Sequence, residues 1–302
     1  MINGTTNIIG IIGDPVEHSL SPVMFNAAFE SLNLDYVYVP FNVRKQDLPN
    51  AIAGAKALNI KGLNVTIPHK RKVLNEIEKF DIMANLIGAV NTIDFHNDKS
   101  KGYNTDCIGA VRAIEEVCDL KDKNVVIVGA GGAARAIAFQ IAISNVSNLT
   151  IINRSGKKAK FLASDIKTLL STDFRGNSKL DDITNNFSHI DLNFEHGGIE
   201  SLPKYLKSAD ILIDTSPVGM YPNVDGEPIA TADEMHSDLI VNDIVYNPLE
   251  TCLLKEAKLA NAKTISGIKM LLYQGTENFK IWTGLEAPVD VMEKALLDEI
   301  NK

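Results

Sequence analysis

The feature of the sequence that most restricts its fold is a short apolar run that leads directly into a glycine-rich turn. The run is Asn124–Val128, and the turn is Gly129-Ala130-Gly131-Gly132-Ala133-Ala134, after which apolar residues at helical spacing continue to Ile143. A buried strand, a tight turn and a helix in immediate succession begin a parallel strand–helix–strand unit. The sequence therefore predicts an α/β fold with a mostly parallel sheet.

The glycine spacing in this turn predicts a nucleotide site. Gly129-x-Gly131-x-x-Ala134 is the dinucleotide pattern with alanine at its third position. Gly129 permits the tight turn, Gly131 lets the backbone approach a pyrophosphate, and Ala134 allows close packing of helix and strand. The phosphates would lie at the helix N-terminus, where backbone N–H groups and the helix dipole favour negative charge. A glycine turn without a ligand is the alternative, and the flanking strand and helix favour the site. Its predicted cofactor-binding residues are Gly129, Ala130, Gly131, Gly132 and Ala133.

The end of the next strand distinguishes between two cofactors. The predicted strand Leu149–Ile152 is followed by Asn153-Arg154-Ser155, without a carboxylate. NAD-binding units usually place an acidic residue there for the ribose hydroxyls, whereas a 2′-phosphate calls for arginine. Arg154 can pair with a phosphate through its planar guanidinium, and Ser155 adds a donor. The alternative is a surface arginine at the start of a helix. We predict NADP as the cofactor, bound in part by Asn153, Arg154 and Ser155.

Composition and charge restrict the partners. The chain has 302 residues, of which 45% are hydrophobic and 23% charged, and its net charge is −8. The length suggests two domains, and the acidic balance without a basic run argues against nucleic acid. Three separate cysteines fit a reducing compartment, and the N-terminus lacks the pattern of a signal peptide. We expect a cytoplasmic protein with a small-molecule substrate and no membrane partner, either a monomer or a homodimer.

Short apolar runs alternate with helical patterns along the rest of the chain. Predicted strands are Ile8–Ile12, Tyr36–Val43, Leu63–Ile67, Ala89–Phe95, Ile211–Asp214, Leu239–Val245 and Lys263–Ile265. Predicted helices are Val23–Leu34, Asp47–Leu58, a segment after Pro68, Ile108–Val117, Gly156–Leu170, Thr251–Ala260, Met270–Trp282 and Val289–Ile300. The polar stretch Ser171–His196 predicts a loop with one edge strand. This alternation supports the α/β class.

Polar clusters stand at the ends of several apolar runs in the first third. They are Gly13–Pro22, Gly62–Lys70, Ala89–Thr92 and Gly102–Asp106. Open α/β sheets bind ligands at the carboxyl ends of their strands. Each cluster alone also has an ordinary explanation, such as a helix cap at Ser21.

Taken together with the glycine turn, and in this order, the clusters resemble the shikimate dehydrogenase family. The similarity continues through Ser216–Met220, Tyr246–Thr251 and Gly267–Gln274, and the run Asn64–Lys70 is its most specific part. It covers nearly the whole chain. The resemblance implies an NADP-dependent oxidoreductase acting on a CH–OH group. The implied reaction is the reversible reduction of 3-dehydroshikimate to shikimate, in the chorismate pathway of aromatic amino-acid biosynthesis.

The resemblance also implies roles for individual residues. The substrate carboxylate would lie near Ser19 and Ser21, with Tyr246 nearby, and Gly267 and Met270 would line the nicotinamide pocket. The ring hydroxyls would be held by Thr66, Lys70, Asn91, Asp106 and Gln274. Lys70 and Asp106 would form the catalytic pair. Hydride arriving at a carbonyl carbon leaves negative charge on oxygen, which a positioned ammonium can stabilise and protonate.

The family pattern further implies the domain organisation. Residues 1–106 plus 270–302 would form an α/β substrate domain, to which the C-terminal helices return, and 107–269 a Rossmann-like NADP domain. We predict no metal site, because the six histidines show no ligand spacing. The chain departs from the common family residues at Phe25, Cys107, Asp214 and Lys269. For Cys107 we predict a small buried core residue.

Two other functions remain open at this point. One is a quinate/shikimate dehydrogenase that uses NAD, and Arg154 without a neighbouring acid argues against strict NAD use. The other is a non-catalytic ligand sensor on the same scaffold. The presence of both Lys70 and Asp106 argues against a sensor, because binding alone would not need that pair.

Overall fold

The computed structural model describes residues 2–96, 99–171 and 192–302, with only the backbone of Ser171. Within them the chain forms two compact units, and each contains a six-stranded sheet. The first unit is Met1–Asp106 with Leu272–Lys302, and the second unit is Cys107–Leu271. Most of the predicted loop Ser171–His196 lies outside the described residues.

The strands are numbered in chain order. They are β1 (Asn7–Gly13), β2 (Tyr36–Asn42), β3 (Gly62–Val65), β4 (Lys79–Phe80), β5 (Thr92–Asp94), β6 (Lys101–Tyr103), β7 (Asn124–Val128), β8 (Asn148–Ile152), β9 (Asn193–Gly197), β10 (Ile211–Asp214), β11 (Ile240–Asp243) and β12 (Lys263–Ile265).

The α-helices are numbered in the same way. They are α1 (Ser21–Ser31), α2 (Leu48–Ala57), α3 (Ile82–Ile87), α4 (Asp106–Glu115), α5 (Gly132–Ala142), α6 (Gly156–Ser171), α7 (Leu202–Leu206), α8 (Cys252–Leu259), α9 (Gly267–Thr283) and α10 (Val289–Ile300).

The sheet of the first unit is mixed, with the strand order β2-β1-β3-β5-β6-β4. β1 is parallel to both β2 and β3, whereas β5 is antiparallel to β3 and β6. The run Asn7–Gly13 is almost entirely apolar because β1 is a central strand. The mostly parallel sheet that the sequence predicts is therefore confirmed, with β5 as the exception.

An aromatic cluster joins α9, the helix before the last one, to the sheet of the first unit. The ring of Phe25 on α1 lies 4.6 Å from that of Tyr38 and 5.4 Å from that of Trp282. The indole Nε1 of Trp282 donates to the carbonyl of Ile93 at 3.0 Å. Gly62 is required beside it, since a Cβ there would lie 2.0 Å from Nε1. Phe25, one of the departures from the family pattern, is thus a fully buried core residue.

The sheet of the second unit is entirely parallel, with the order β12-β11-β10-β7-β8-β9. Numbered within this unit, that is the 3-2-1-4-5-6 order of the doubly wound dinucleotide-binding fold. The order reverses between β7 and β10. Apolar side chains from both strands fill the core, including Val126, Ile127 and Leu212. This arrangement confirms the predicted Rossmann-like class.

Several predicted boundaries agree with the structure and others do not. The strands Asn124–Val128, Ile211–Asp214 and Lys263–Ile265 and the helix Val289–Ile300 occur as predicted, and β9 is the predicted edge strand. Instead of an α-helix directly after Pro68, a 3₁₀ turn spans Lys72–Glu76. Ser21 does not cap α1, because it is already the first helical residue and no side chain caps this helix. No helix of the described residues combines the length and the apolarity needed to cross a membrane.

Candidate active site

Two segments of the first unit bring Lys70 and Asp106 together. Lys70 follows β3, and Asp106 is the first residue of α4. The Lys70 Nζ donates to Asp106 Oδ2 at 2.6 Å, with 32% of the lysine side chain and 10% of the aspartate side chain exposed. A charge-assisted bond in a partly buried site is stronger than one on an open surface, so this bond fixes the direction of the ammonium.

Backbone hydrogen bonds hold the segments that carry this pair. The Val90 N–H donates to the carbonyl of Lys70 at 2.8 Å, and the Asn91 N–H donates to the carbonyl of Tyr103 at 3.0 Å. Val65 at the end of β3 donates to the carbonyl of Asn91 at 2.8 Å. These backbone hydrogen bonds therefore bring together polar clusters that are separate in the sequence, at one end of the neighbouring strands β3, β5 and β6.

Asn91 completes the hydrogen bonding of the carboxylate. Its Nδ2 donates to Asp106 Oδ1 at 2.9 Å, and its Oδ1 accepts from the backbone N–H of Thr105 at 2.9 Å. Asp106 thus receives a donor on each oxygen, one from Lys70 and one from Asn91. A carboxylate held at both oxygens keeps one orientation without a substrate.

Gln274 on α9 adds a fourth predicted residue to this cluster. It is buried, its Oε1 lies 3.4 Å from Asn91 Nδ2, and it accepts from Asn278 Nδ2 at 3.1 Å. We call Lys70, Asn91, Asp106 and Gln274 the ring cluster. Their supporting residues Thr92, Thr105 and Asn278 do not follow from the sequence patterns. The one local indication is the i,i+4 spacing of Gln274 and Asn278 on a helix.

Ser19 lies in the loop that follows β1, and Ser21 is the first residue of α1; we call the stretch that carries both the serine loop. The Ser21 backbone N–H donates to Ser19 Oγ at 3.3 Å, and Ser21 is buried. The Tyr38 O–H donates to Asn64 Oδ1 at 2.6 Å, and burial holds the pKa of Tyr38 well above its usual value. Tyr38 is therefore a neutral phenol that donates to the Asn64 amide.

Thr66 connects this serine loop to the segment that carries Lys70. Its N–H donates to the carbonyl of Ile12 at 3.0 Å, and Asp14 donates to the carbonyl of Ile67 at 3.0 Å. The contact is close at Gly13, where a Cβ would lie 2.4 Å from Thr66 Cγ2. The structure therefore ties the half-buried Thr66 to the loop that carries both serines.

The glycine turn in the second unit has a backbone conformation that favours glycine at Gly129 and open space beside Gly131 and Gly132. Gly129 has φ of +125°, and a Cβ there would lie 2.1 Å from Thr215 Oγ1. A Cβ at Gly131 or Gly132 would meet nothing within 4 Å, and no side chain caps α5. The first N–H groups of α5 therefore have no side-chain cap, and the space beside Gly131 and Gly132 is open for a diphosphate to approach. These residues fit the phosphates of a dinucleotide.

The three residues predicted to bind the 2′-phosphate end of NADP directly follow β8. β8 ends at Ile152, directly before Asn153, Arg154 and Ser155. Arg154 is exposed and forms no ion pair with any other described residue. The Asn153 Nδ2 donates to the carbonyl of Ser155 at 3.2 Å, which braces the turn into α6. The guanidinium of Arg154 is thus presented to solvent at the carboxyl edge of the parallel sheet.

The other predicted ligand contacts lie in the second unit. Tyr246 is half-buried, and burial raises the pKa of its phenol. Met270 is buried on α9. Gly267 starts this helix at a point where a Cβ would lie 2.3 Å from the carbonyl oxygen of Ile244, so close backbone packing alone requires a glycine. The ligand contacts of these residues remain predictions.

Two buried carboxyls lie side by side at the ends of neighbouring strands, close to the glycine turn. Asp214 and Asp243 occupy paired positions on β10 and β11, and both are buried. Burial raises the pKa of Asp214 to about 8, with a further contribution from the negative charge of Asp243. Burial also raises the pKa of Asp243, to about 6. Asp214 bonds to Ser216 and Asp243 to Thr251, so both carboxyls have polar partners.

The remaining departures from the family pattern have structural explanations. Cys107 is fully buried, which confirms its predicted role in the core. Lys269 forms an ion pair with Glu116 at 3.3 Å. Among the described residues, no three histidine, cysteine, aspartate or glutamate side chains cluster as metal ligands would.

The strand order and the turn at its switch point define the class of the protein. An all-parallel sheet in the order 3-2-1-4-5-6, with glycines at the first strand–helix turn, is the architecture of dinucleotide-binding enzymes. Sequence comparison then identifies the family. Profiles described as the shikimate dehydrogenase substrate binding domain, shikimate/quinate 5-dehydrogenase and the shikimate 5′-dehydrogenase C-terminal domain match residues 11–93, 111–195 and 267–297. The chain belongs to the shikimate dehydrogenase family.

Similar proteins match the chain over its full length. A shikimate dehydrogenase (NADP⁺) of Methanobrevibacter smithii is 58% identical, with 98% of each chain covered. One of Methanothermobacter thermautotrophicus is 48% identical over 100% of both chains. A crystal structure of shikimate dehydrogenase in complex with NADP⁺ is 49% identical, covers 100% of this chain and 98% of that one, and has a TM-score of 0.88. The predicted family is therefore confirmed.

Proposed function

We propose that this protein is an NADP-dependent shikimate dehydrogenase that interconverts 3-dehydroshikimate and shikimate. The observation that carries the proposal is the ring cluster, in which Lys70 is bonded to Asp106 and both lie beside Asn91 and Gln274. The curated relatives named as NADP⁺-dependent shikimate dehydrogenases support it, because they match the chain from end to end. The same family assignment would place the reaction in the chorismate pathway.

The chemistry of the ring cluster follows from its charges. NADPH, when bound, supplies the hydride that reduces the ring carbonyl. The oxygen of that carbonyl gains negative charge, and the Lys70 ammonium stabilises it and transfers a proton to it. Asp106 and Asn91 hold the ammonium in one direction through the bonds described above. In the reverse reaction Lys70 receives the proton from the shikimate hydroxyl.

The remaining side chains of the first unit would bind and orient the substrate. The hydroxyls of Ser19 and Ser21 would hold the carboxylate, and Tyr246 stays a predicted substrate-binding residue. Thr66, Asn91 and Gln274 would bind the ring hydroxyls. The bonds that link Thr66 to the serine loop support this division of roles, because they fix the two groups of donors relative to one another.

The glycine turn and the segment after β8 would hold the cofactor. Residues 129–133 would bind the diphosphate through backbone N–H groups, and Arg154 would pair with the 2′-phosphate, supported by Asn153 and Ser155. Gly267 and Met270 would contribute to the nicotinamide pocket. The open volume over Gly131 and the exposed guanidinium of Arg154 support this assignment. We further propose a cytoplasmic enzyme that acts as a monomer or a homodimer.

An NAD-dependent quinate or shikimate dehydrogenase is the main alternative. A quinate dehydrogenase of Corynebacterium glutamicum, solved with NAD, is 28% identical with a TM-score of 0.82 over 97% of this chain and 99% of that one. A shikimate 5-dehydrogenase of Listeria monocytogenes, solved with shikimate and NAD, is 35% identical with a TM-score of 0.85, and 98% of both chains is covered. Arg154 without a neighbouring acid favours NADP.

One assay separates these functions from each other and from a non-catalytic sensor. Purified protein is mixed with shikimate and NADP⁺, with shikimate and NAD⁺, and with quinate and each nucleotide, while absorbance at the reduced nicotinamide band is followed. We expect the highest kcat/KM for shikimate with NADP⁺. Higher kcat/KM with NAD⁺ or with quinate would support the alternative, and the absence of turnover with every pair would support the sensor.

A further inference from the structure

Asn278 is a buried amide behind the ring cluster, in a place where an unpaired polar group would be costly. Its exposed fraction is 0%, and it lies one helical turn after Gln274 on α9. Its Oδ1 accepts from Thr92 Oγ1 at 2.7 Å and from Thr105 Oγ1 at 2.8 Å, and its Nδ2 donates to Gln274 Oε1 at 3.1 Å. Both ends of the amide are therefore occupied, as burial requires.

Two backbone groups determine which way the amides of this network point. The Thr105 N–H donates to Asn91 Oδ1, so the Asn91 nitrogen is the end that reaches Thr105 Oγ1, at 2.9 Å. The carbonyl of Asn91 accepts from Asn64 Nδ2 at 3.1 Å, and the same nitrogen reaches Thr92 Oγ1 at 3.1 Å. Each threonine hydroxyl thus accepts from an asparagine and has one hydrogen left to donate.

Each of these hydrogens has two acceptors in reach, and Asn278 Oδ1, at 2.7 Å from Thr92 and 2.8 Å from Thr105, is closer than Asn91 Oδ1, at 3.0 and 3.3 Å. The shorter pair of bonds sets the direction of the Asn278 amide. An atom that receives two hydroxyl donors is the carbonyl oxygen, so the nitrogen of Asn278 faces Gln274. The Gln274 amide must then turn its oxygen towards Asn278, where Asn91 Nδ2 also lies at 3.4 Å. Its nitrogen is consequently on the opposite end, away from Asn278.

We propose that Asn278 is a positioning residue that fixes the Gln274 amide with its nitrogen as the donor to a ring hydroxyl of the substrate. The proposal rests on the function proposed above, in which Gln274 binds a ring hydroxyl. The amide torsion of glutamine is broad and nearly two-fold, so Gln274 alone does not distinguish its two ends. By donating to the Gln274 oxygen, Asn278 determines which end of the Gln274 amide is the oxygen and which is the nitrogen.

The test is a cycle of three variants, Asn278→Ala, Gln274→Ala and the double variant. We expect Asn278→Ala to raise the KM for shikimate about tenfold while kcat and the KM for NADP⁺ stay within about threefold. Because Asn278 acts through Gln274, the double variant should be no worse than Gln274→Ala alone. Losses that multiply, or an unchanged KM in Asn278→Ala, would overturn the positioning role.

Two further variants separate positioning from a general loss of packing. Thr276→Ala removes a buried hydroxyl of the same helix that donates to the carbonyl of Tyr273 at 2.8 Å, and we expect it to leave the KM for shikimate unchanged. If Asn278→Ala does not fold, Asn278→Asp takes its place in the cycle. Asn278→Asp retains the oxygen that accepts from both threonines and removes the donor to Gln274, so it should raise the KM for shikimate as well.

The wild-type protein is assayed in the same series. A wild type that does not oxidise shikimate would contradict the proposed function and this inference together. An active wild type with independent losses in the two variants would contradict only the role of Asn278.

Discussion

The ring cluster of the first unit and the glycine turn of the second unit are built in opposite ways. In the ring cluster, Lys70, Asn91, Asp106 and Gln274 are held by bonds between side chains. In the glycine turn, the phosphate recognition that we propose would depend on backbone N–H groups and on the open volume at Gly131 and Gly132. One site presents functional groups, and the other keeps space open for a ligand.

This difference predicts two different ways to lose function. The ring cluster should fail when a group is removed, because the charge and the hydrogen bonds that it supplies have no replacement. The glycine turn should fail when volume is added, because a side chain would occupy the position of the phosphates. The predictions that follow test this contrast.

The largest effect is expected for Lys70→Ala. This variant removes the ammonium to which we assign protonation of the substrate oxygen, so we expect kcat to fall about 1000-fold. Affinity for NADPH, measured by fluorescence titration, should remain close to that of the wild type. The exposed Lys72 offers a control, and Lys72→Ala should keep full turnover. Near-normal turnover in Lys70→Ala would remove this lysine from the mechanism.

The second effect concerns added volume in the glycine turn. At Gly131 the backbone has φ of −88°, which valine accepts, and a Cβ meets nothing within 4 Å. We therefore expect Gly131→Val to keep the melting temperature of the wild type while its affinity for NADP⁺ falls about 100-fold. Gly129→Val should lower both the melting temperature and the affinity for NADP⁺, because φ at this position is +125° and a Cβ would lie 2.1 Å from Thr215 Oγ1. Equal behaviour of the two variants in calorimetry would contradict the role of open volume.

The third effect concerns the one charged side chain that we assign to the cofactor. Arg154→Ala removes the proposed partner of the 2′-phosphate, so the KM for NADP⁺ should rise about 30-fold while the KM for NAD⁺ stays nearly the same. Lys160→Ala, an exposed change on the following helix, should alter neither constant. A parallel rise for both nucleotides would show that Arg154 does not recognise the 2′-phosphate.

The smallest effect is a pH dependence in the second unit. The pKa of Asp214 is raised to about 8 from its usual 3.8, so between these pH values the folded state holds a proton that the unfolded chain has released. The free energy of unfolding therefore falls as the pH rises through this range. Asp214→Asn does not titrate, so its melting temperature should exceed that of the wild type by roughly 5 °C at pH 8 and by less at pH 5. Parallel melting curves across this range would show that Asp214 does not carry a buried proton.

The two sites also differ in how far the sequence predicts them. The glycine turn is local, since strand, turn and helix are contiguous, and β7 occurs over Asn124–Val128 as predicted. Arg154 follows the next strand for the same reason. The ring cluster joins residues that are distant in the sequence, and its predicted members came from a family resemblance rather than from periodicity.

The parts that the sequence did not predict depend on long-range contacts. The bonds from Asn278 to Thr105 and Thr92 span 173 and 186 residues, and no local pattern contains them. The 3₁₀ turn at Lys72–Glu76 replaces the expected helix in a segment tied down by backbone bonds, among them the one from Val90 to Lys70. Strands as short as β4 and β6 have too few residues to show an alternation.

The most direct test of the contrast is the affinity of Gly131→Val for shikimate, measured by calorimetry without nucleotide. The ring cluster is held by its own side chains within the first unit, so the dissociation constant should match that of the wild type within about twofold. A large loss of shikimate affinity in this variant would contradict the claim that the ring cluster is organised independently of the glycine turn.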